Sequence, residues 1–403
     1  METRPNLFDP RVWANPYPLY AELRRNRPVC QIDPHGVWAI SRYDDALFAL
    51  RSPQIFSSAG FRKVWVPTWF PESPLRSALL IQDPPAHTRL RALTQRAFGP
   101  RAMAILESRS RAIAAELSDR LVDDDEFDFV SDFALALPAR IIIEICGLDP
   151  ELQVHFKRWG AAVAAIGISD PVLIAQVRTD FEEMIGCLRQ VIEDRHRHPR
   201  EDIVTELLKP DPVSGDRMTD EEVLAFLATI LPAGFETSAG LLSNTARILA
   251  ARPQDLARLR AAPELVPQYL EEVLRYDSPA QSVARLCQED VEVAGVRLEA
   301  GTLVLILLGS ANHDETRFPD PDAFDPDRFA PGKEGAKHLS FSYGIHFCLG
   351  ATLARTESRV GIEALLARCE QLSIGPAPID WSLSLSVRVP VSLPMRLSRR
   401  LAA

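Results

Sequence analysis

The chain has 403 residues and a formal net charge of −10, with 46% hydrophobic and 25% charged residues. That composition excludes a disordered or fibrous chain and leaves ample material for a large core. The acidic excess disfavours nucleic acid and anionic membrane as partners, because both draw on basic surface. The six cysteines, Cys30, Cys146, Cys187, Cys287, Cys348 and Cys369, are spread without a CxxC pair. This argues against a disulfide-dense secreted scaffold and against a zinc site with paired ligands. The opening residues, METRPNLFDPRVWANP, hold no apolar leader core, and no apolar run reaches ~18 residues, so the expected location is cytoplasmic.

Residues 1–60 mix short strand-like pieces, such as GVWAISRY at 36–43, with proline-rich turns. Residues 61–82 carry Phe61, Trp65, Trp69 and Phe70 among three prolines. Such a stretch cannot be one regular helix, and it is expected to form a long aromatic loop, packed or functional. From about 84 to 275 the periodicity is helical. Asp83-Pro84-Pro85 reads as an N-cap followed by prolines where no donor is needed. Thr219-Asp220-Glu221-Glu222 reads as a capping box that opens a helix running to about Ala250, roughly 48 Å at ~1.5 Å per residue. Residues 291–308 alternate, with an Ala-Gly break and a turn at Gly301, and read as strands. No repeat, low-complexity block or flexible linker interrupts the chain. The expectation is one domain over 1–403, mainly α with a small β region. Its β-rich part lies mainly in 30–60, 285–310 and 370–400, and its helical part in 84–275 and 350–370.

The motif richest in chemistry is FSYGIHFCLG at 341–350, followed by a helical pattern from Ala351. Cys348 therefore lies on a loop entering a helix N-terminus, where backbone N–H groups and the helix dipole favour a thiolate. Gly344 permits the tight turn, and Gly350 lets a flat partner approach the backbone. A thiolate held this way suits an iron ligand, and a cysteinate on haem iron pushes electron density toward O–O cleavage. Taken alone, a single cysteine is more often a buried structural residue, and the other five are read that way.

Three further patterns stand out. His87 and Arg91 are i and i+4 on one helix face, either a clamp for a carboxylate or a solvated basic face; Arg89 and Arg96 are read as surface. ILPAGFETSAG sets Ala233-Gly234 beside Glu236-Thr237 in an otherwise apolar helix, with Pro232 removing a donor and bending it. An acid and a hydroxyl are costly to bury without partners or a chemical role. Either Glu236 delivers protons toward the Thr237 hydroxyl, or Glu236 faces solvent and Thr237 bonds back to a carbonyl. Glu272 and Arg275 are i and i+3 and can pair.

Together these segments resemble the cytochrome P-450 superfamily of haem-thiolate monooxygenases. FSYGIHFCLG is similar to the haem-binding signature Phe-x-x-Gly-x-His/Arg-x-Cys-x-Gly. DPPAHTRLR (83–91), AGFETS (233–238), EEVLR (271–275), the Arg285 neighbourhood and FDPDRF (324–329) follow in the family's order over some 270 residues. The resemblance implies the family's fold, with haem b between the long central helix and the helix after the cysteine loop. It implies Cys348 as the iron ligand, and His87, Arg91, Arg285 and His346 at the haem propionates. Phe341, Gly350, Ala233 and Gly234 would lie along the ring. Glu236 and Thr237 would be the acid–alcohol pair that manages dioxygen and protons. Glu272, Arg275 and Arg328 would form a structural network fixing the cysteine loop. Phe235, Pro232 and Ser342 depart from the family's commonest residues.

The pocket segments judged by position, 61–82, 279–284 and Val389-Pro390-Val391, are mostly apolar or small, favouring a hydrophobic substrate. The implied reaction is hydroxylation or epoxidation of such a molecule: a secondary metabolite, fatty acid or terpenoid. The chain carries no flavin, nicotinamide or iron–sulfur motif, so electrons are expected from a separate ferredoxin and ferredoxin reductase. A local basic patch near Cys348, drawn from Arg96, Lys333, Lys337 and Arg359, is expected to receive the ferredoxin. The competing readings are a haem sensor without turnover, a peroxygenase and a cysteine hydrolase. The acid–alcohol pair argues against the first two, and the lack of a third triad member against the last.

Overall fold

Strands β1 (Val29–Ile32), β2 (Val37–Ile40), β3 (Phe56–Ser57), β5 (Ser282–Cys287) and β8 (Leu303–Leu307) build one five-stranded sheet in the order β1-β2-β8-β5-β3. They are seen in a computed structural model that describes residues 4–7, 9–33, 36–66, 73–121, 126–165, 171–382 and 384–399. The β2–β8 pairing is parallel, with Trp38 opposite Val304, and the other pairings are antiparallel. The apolar run Leu303–Leu308 is explained by burial of the sheet on both faces. Val304, Ile306 and Leu308 enter one core with Ile40, Ala46, Leu50 and Phe56. Leu305 and Leu307 enter another, with Leu23, Ile32 and Ala39. The hairpin β6 (Val291–Val293) and β7 (Val296–Leu298) turns at Ala294 and Gly295, both with positive φ, the backbone a two-residue turn requires.

The described chain divides into two compact units, and this sheet belongs to the one formed by Met1–Ser57, Ser110–Leu137 and Thr237–Ala403. The same unit carries helices α1 (Pro10–Ala14), α2 (Tyr17–Asn26) and α3 (Tyr43–Arg51). A second small sheet joins β4 (Phe127–Asp128), β12 (Pro394–Arg399) and β9 (Cys369–Ile374), and a third pairs β10 (Asp380–Trp381) with β11 (Pro390–Ser392).

The second unit, Ser58–Arg109 and Pro138–Glu236, is helical. It contains α4 (Ser58–Trp65), α5 (Ala86–Ala97), most of α7 (Ala136–Cys146), α8 (Gln153–Ala164), α9 (Pro171–Arg197) and α10 (Ile203–Leu208). Helix α6 (Pro100–Leu121) runs from it into the first unit. Phe61 and Trp65 lie on α4, and residues 74–77 and 79–81 form 3-10 turns, so the expected aromatic loop is largely helical; Trp69 and Phe70 fall outside the described residues. Asp83 does not cap the helix that follows it: Pro85 holds that position. The Asp83 carboxylate instead accepts from the N–H groups of Ser58 and Ala59 at 3.0 and 3.3 Å, and so caps α4.

Helix α11 (Asp220–Ala251) has 32 residues and opens with the expected capping box: Thr219 N–H donates to Glu222 Oε2 at 2.8 Å, and Glu222 N–H to Thr219 Oγ1 at 3.2 Å. Pro232 sits inside it, so the carbonyl of Ala228 lacks its usual donor. Among the described residues this helix is long and apolar enough to cross a membrane, with an 18-residue window of mean hydropathy 1.4; 67% of that window is buried in the protein, as expected of a core helix. Beyond it lie α12 (Pro253–Ala261), α13 (Val266–Tyr276), α14 (Leu308–Ala311) and α15 (Ala351–Arg368).

Candidate active site

Cys348 lies three residues before α15, half-buried, with Gly350 at the cap position. Its N–H donates to the Phe341 carbonyl at 2.9 Å and closes the loop 341–348. Two residues inside that loop have left-handed backbones, Ser342 (φ 61°) and Gly344 (φ 71°). A Cβ at Gly344 would stand 2.5 Å from the Leu50 carbonyl of α3, so only glycine fits there. Ser342 is not glycine, and its backbone sits where a side chain is strained. At Gly350 a Cβ would meet nothing within 4 Å, so the start of α15 presents open space on that side.

Helix α13 is tied to the segment 312–328 that precedes this loop. Glu272 and Arg275 are 0% exposed and form a two-pronged pair at 2.8 and 2.8 Å. Arg275 also donates to the carbonyls of Asn312, Pro321 and Ala323, and Arg328 approaches Glu272 at 3.3 Å. Glu272 further accepts from Asp325 N–H at 2.9 Å. Every charge in this group is paired and hydrogen-bonded, which burial demands.

In the same unit, Arg285 on β5 is buried, with a guanidinium N–H donating to Ala284 O at 2.7 Å. His346 is half-buried in the 3-10 turn before Cys348. Thr237 is half-buried on α11. One turn further, the space beside Gly240 is filled by Val389 and Pro279, which places the expected apolar segments against α11.

In the helical unit, His87 is buried and Arg91 half-buried on α5. Arg89, expected at the surface, pairs with Asp216 and Glu222, each at 2.6 Å. Ala233 is exposed in the middle of α11, where its neighbours Leu231 and Pro232 are buried. Gly234 faces α7, and a side chain there would collide with Ile142. The Glu236 carboxylate lies against Gly160 of α8: a Cβ on Gly160 would stand 2.9 Å from Glu236 Oε1 and 2.8 Å from Phe235 Cζ. Among the described residues no hydrogen bond or ion pair reaches that carboxyl, and burial pushes its pKa up.

The motifs that mark the cysteine loop and the central helix do not include Glu357. It is buried on α15, pushed up to about 8 by burial against a smaller lowering by a hydrogen bond from Ser238. A signal for it is present in the sequence: Leu353, Glu357 and Val360 share the buried helical stripe, so the acid occupies an apolar position. Gly160 carries no such signal.

The first unit thus sets a cysteine in a glycine-bounded loop at the N-terminus of α15 and, on α13, a fully buried Glu272–Arg275 pair with Arg328 beside it; this defines the class of fold to compare. The cytochrome P450 family model matches residues 173–376. The cytochrome P450 monooxygenase PikC of Streptomyces venezuelae is 36% identical over 394 residues, covering 96% of this chain and 92% of that one. Cytochrome P450 CYP109Q5 from Chondromyces apiculatus is 39% identical with a TM-score of 0.88, covering 100% of both chains. CYP109E1 from Bacillus megaterium, solved in complex with testosterone, is 33% identical with a TM-score of 0.83, covering 95% of this chain and 99% of that one. The chain belongs to the cytochrome P450 family. It is a monooxygenase whose cofactor is haem b. Within the first unit the residues present fit that group: the Cys348 thiol, the Arg285 guanidinium and open space at Gly350 for a flat ring.

Proposed function

We propose that the protein inserts one oxygen atom into a hydrophobic small molecule, with Cys348 as the iron ligand. The observation that carries this is the Cys348 N–H to Phe341 O bond at 2.9 Å, which holds this cysteine in a glycine-bounded loop just before a helix N-terminus. Haem, when bound, supplies the activation of dioxygen. Cys348 binds as a thiolate, favoured by the α15 dipole. Arg285, His87, Arg91 and His346 are the proposed partners of the propionates, while Phe341, Gly350, Ala233 and Gly234 border the ring. Glu236, whose carboxyl burial makes harder to ionise, is the proposed proton donor, and the Thr237 hydroxyl the group that receives and orients the proton. Glu272, Arg275 and Arg328 keep the loop in place.

The proposed substrate is an apolar molecule of ring-system size, hydroxylated or epoxidised. CYP109E1 was solved with testosterone, and 6-deoxyerythronolide B hydroxylase of Saccharopolyspora erythraea is 33% identical to this chain. Apolar Val389 and Pro279 beside α11 support the same choice. Electrons are proposed to come from a separate ferredoxin and its reductase. Beside the cysteine loop, exposed Arg51 donates to the Tyr343 hydroxyl at 2.9 Å, Lys337 is exposed, and Phe347 is 40% exposed. Arg96 is a poor candidate for that patch: its guanidinium donates to Glu206, Lys209 and Pro210 carbonyls at the end of α10. Arg359 pairs with Glu363 at 3.1 Å.

The test is the visible spectrum of the dithionite-reduced, carbon-monoxide-treated protein. A thiolate-type band that disappears in Cys348→Ala supports the reading, and its persistence in that variant refutes it. Ligand screening for a spin-state shift then identifies the substrate class; steroids and macrolactones are expected to give it, and hydrophilic sugars are not.

A further inference from the structure

A charged pair outside the Glu272 network, Arg355 with Glu271, meets the ring of Phe341, the residue to which Cys348 is tied, through its arginine. Arg355, on the second turn of α15, lays its guanidinium over that ring, with Cζ 4.4 Å from the centroid. A two-pronged pair with Glu271 of α13, at 2.6 and 2.9 Å, holds it there. Glu271 also meets His338 Nε2 at 3.1 Å, and the His338 ring lies 5.9 Å from that of Phe341. Ser340 N–H donates to His338 Nδ1 at 3.3 Å, which leaves the Nε2–H to point at Glu271. Burial works to raise the Glu271 pKa, but the hydrogen bonds from Arg355 and His338 outweigh it and hold the carboxyl at about 2, so it stays ionised.

We propose that Arg355 and Glu271 are positioning residues that tune the cysteine loop electrostatically: Arg355 acts through the face of Phe341, and Glu271 both aims that cation and cancels its charge, so the pair sets the reduction potential of the iron. The proposal rests on the reading of Cys348 as the iron ligand. Reduction adds negative charge to the haem and its ligand, so a cation nearby favours the reduced state and an anion disfavours it. Intact, the pair nearly cancels. Removing one half leaves a net charge of opposite sign in nearly the same place.

That gives a signature which looser packing cannot produce. In the haem-loaded protein, Arg355→Gln leaves the carboxylate and is expected to lower the potential; Glu271→Gln leaves the cation and is expected to raise it. The double variant is expected near the wild-type value. Arg355→Lys, which keeps the charge but not the fork, is expected between Arg355→Gln and the wild type. The measurement is a spectroelectrochemical titration of the ferric–ferrous couple, with the ferrous carbon-monoxide band and thermal unfolding recorded on the same samples. Shifts of the same sign in both single variants, or no shift in either, overturn the proposal. If Arg355→Gln does not retain haem, Arg355→Lys and Glu271→Gln carry the test. A wild-type protein without a thiolate-type band would refute the Cys348 assignment instead, whereas a normal band with unmoved potentials refutes this proposal alone.

Discussion

Ser238 Oγ donates to Glu357 Oε1 at 2.5 Å, joining α11 to α15 one residue past Thr237. The second carboxyl oxygen of Glu357 has no hydrogen-bond partner among the described residues. A buried carboxyl served by one donor is costly to ionise, and burial pushes Glu357 to about 8 against an ordinary 4.5.

This acid gives the fold a pH dependence of known sign. Its folded pKa lies above its unfolded one, so its contribution is fully present below pH 4.5 and is lost as pH rises through about 8. Across that window the loss approaches ~1.4 kcal/mol per pH unit at most. Glu357→Gln, which keeps the shape, should flatten the profile. Thermal unfolding between pH 5 and 9, expected to show the variant gaining on the wild type as pH rises, checks it; parallel curves would refute it.

The Glu272–Arg275 pair is expected to be the most sensitive point in the brace of the cysteine loop. Glu272→Gln leaves the Arg275 charge buried and unpaired, which should cost ~3–5 kcal/mol, whereas Arg275→Met leaves Glu272 with Arg328 and should cost less. Urea unfolding and haem retention measure this together, and a loss below about 1 kcal/mol would show the network to be dispensable.

Gly160→Ala should disturb the acid next to Thr237 without touching it chemically. The new methyl would stand 2.9 Å from Glu236 Oε1 and 2.8 Å from Phe235 Cζ, so the carboxyl must move. Hydrogen peroxide released per electron pair should rise several-fold, as it should for Thr237→Ala and Glu236→Gln. Adding Gly160→Ala to Glu236→Gln should bring little further change. Full additivity would place the effect elsewhere.

Docking of an acidic ferredoxin at Arg51 and Lys337 predicts that reduction slows with salt over ~0.05 to 0.5 M. Arg51→Glu and Lys337→Glu should each lower the rate at low salt and weaken that dependence. Arg96→Glu should leave the salt dependence unchanged, because this guanidinium is engaged with α10. Stopped-flow reduction separates these outcomes.

The elements whose signals are local were legible from the residues alone. The capping box at Thr219, the strand alternation through Leu308, the entry of Cys348 into α15 and the spacing of Glu272 and Arg275 depend on neighbours three or four residues away, and all are found in the structure. What depends on distant segments meeting emerged only from the packed fold. Packing turned Asp83 into a cap for α4, set Gly234 against Ile142 and Gly160 against Glu236, buried Glu357 beside Ser238, and stacked Arg355 on Phe341 under the hold of Glu271. The physical reason is range. Propensity, caps and periodicity act within a turn or two, whereas burial, and with it the pKa of an acid or the strength of an ion pair, is set by whichever helix packs on top.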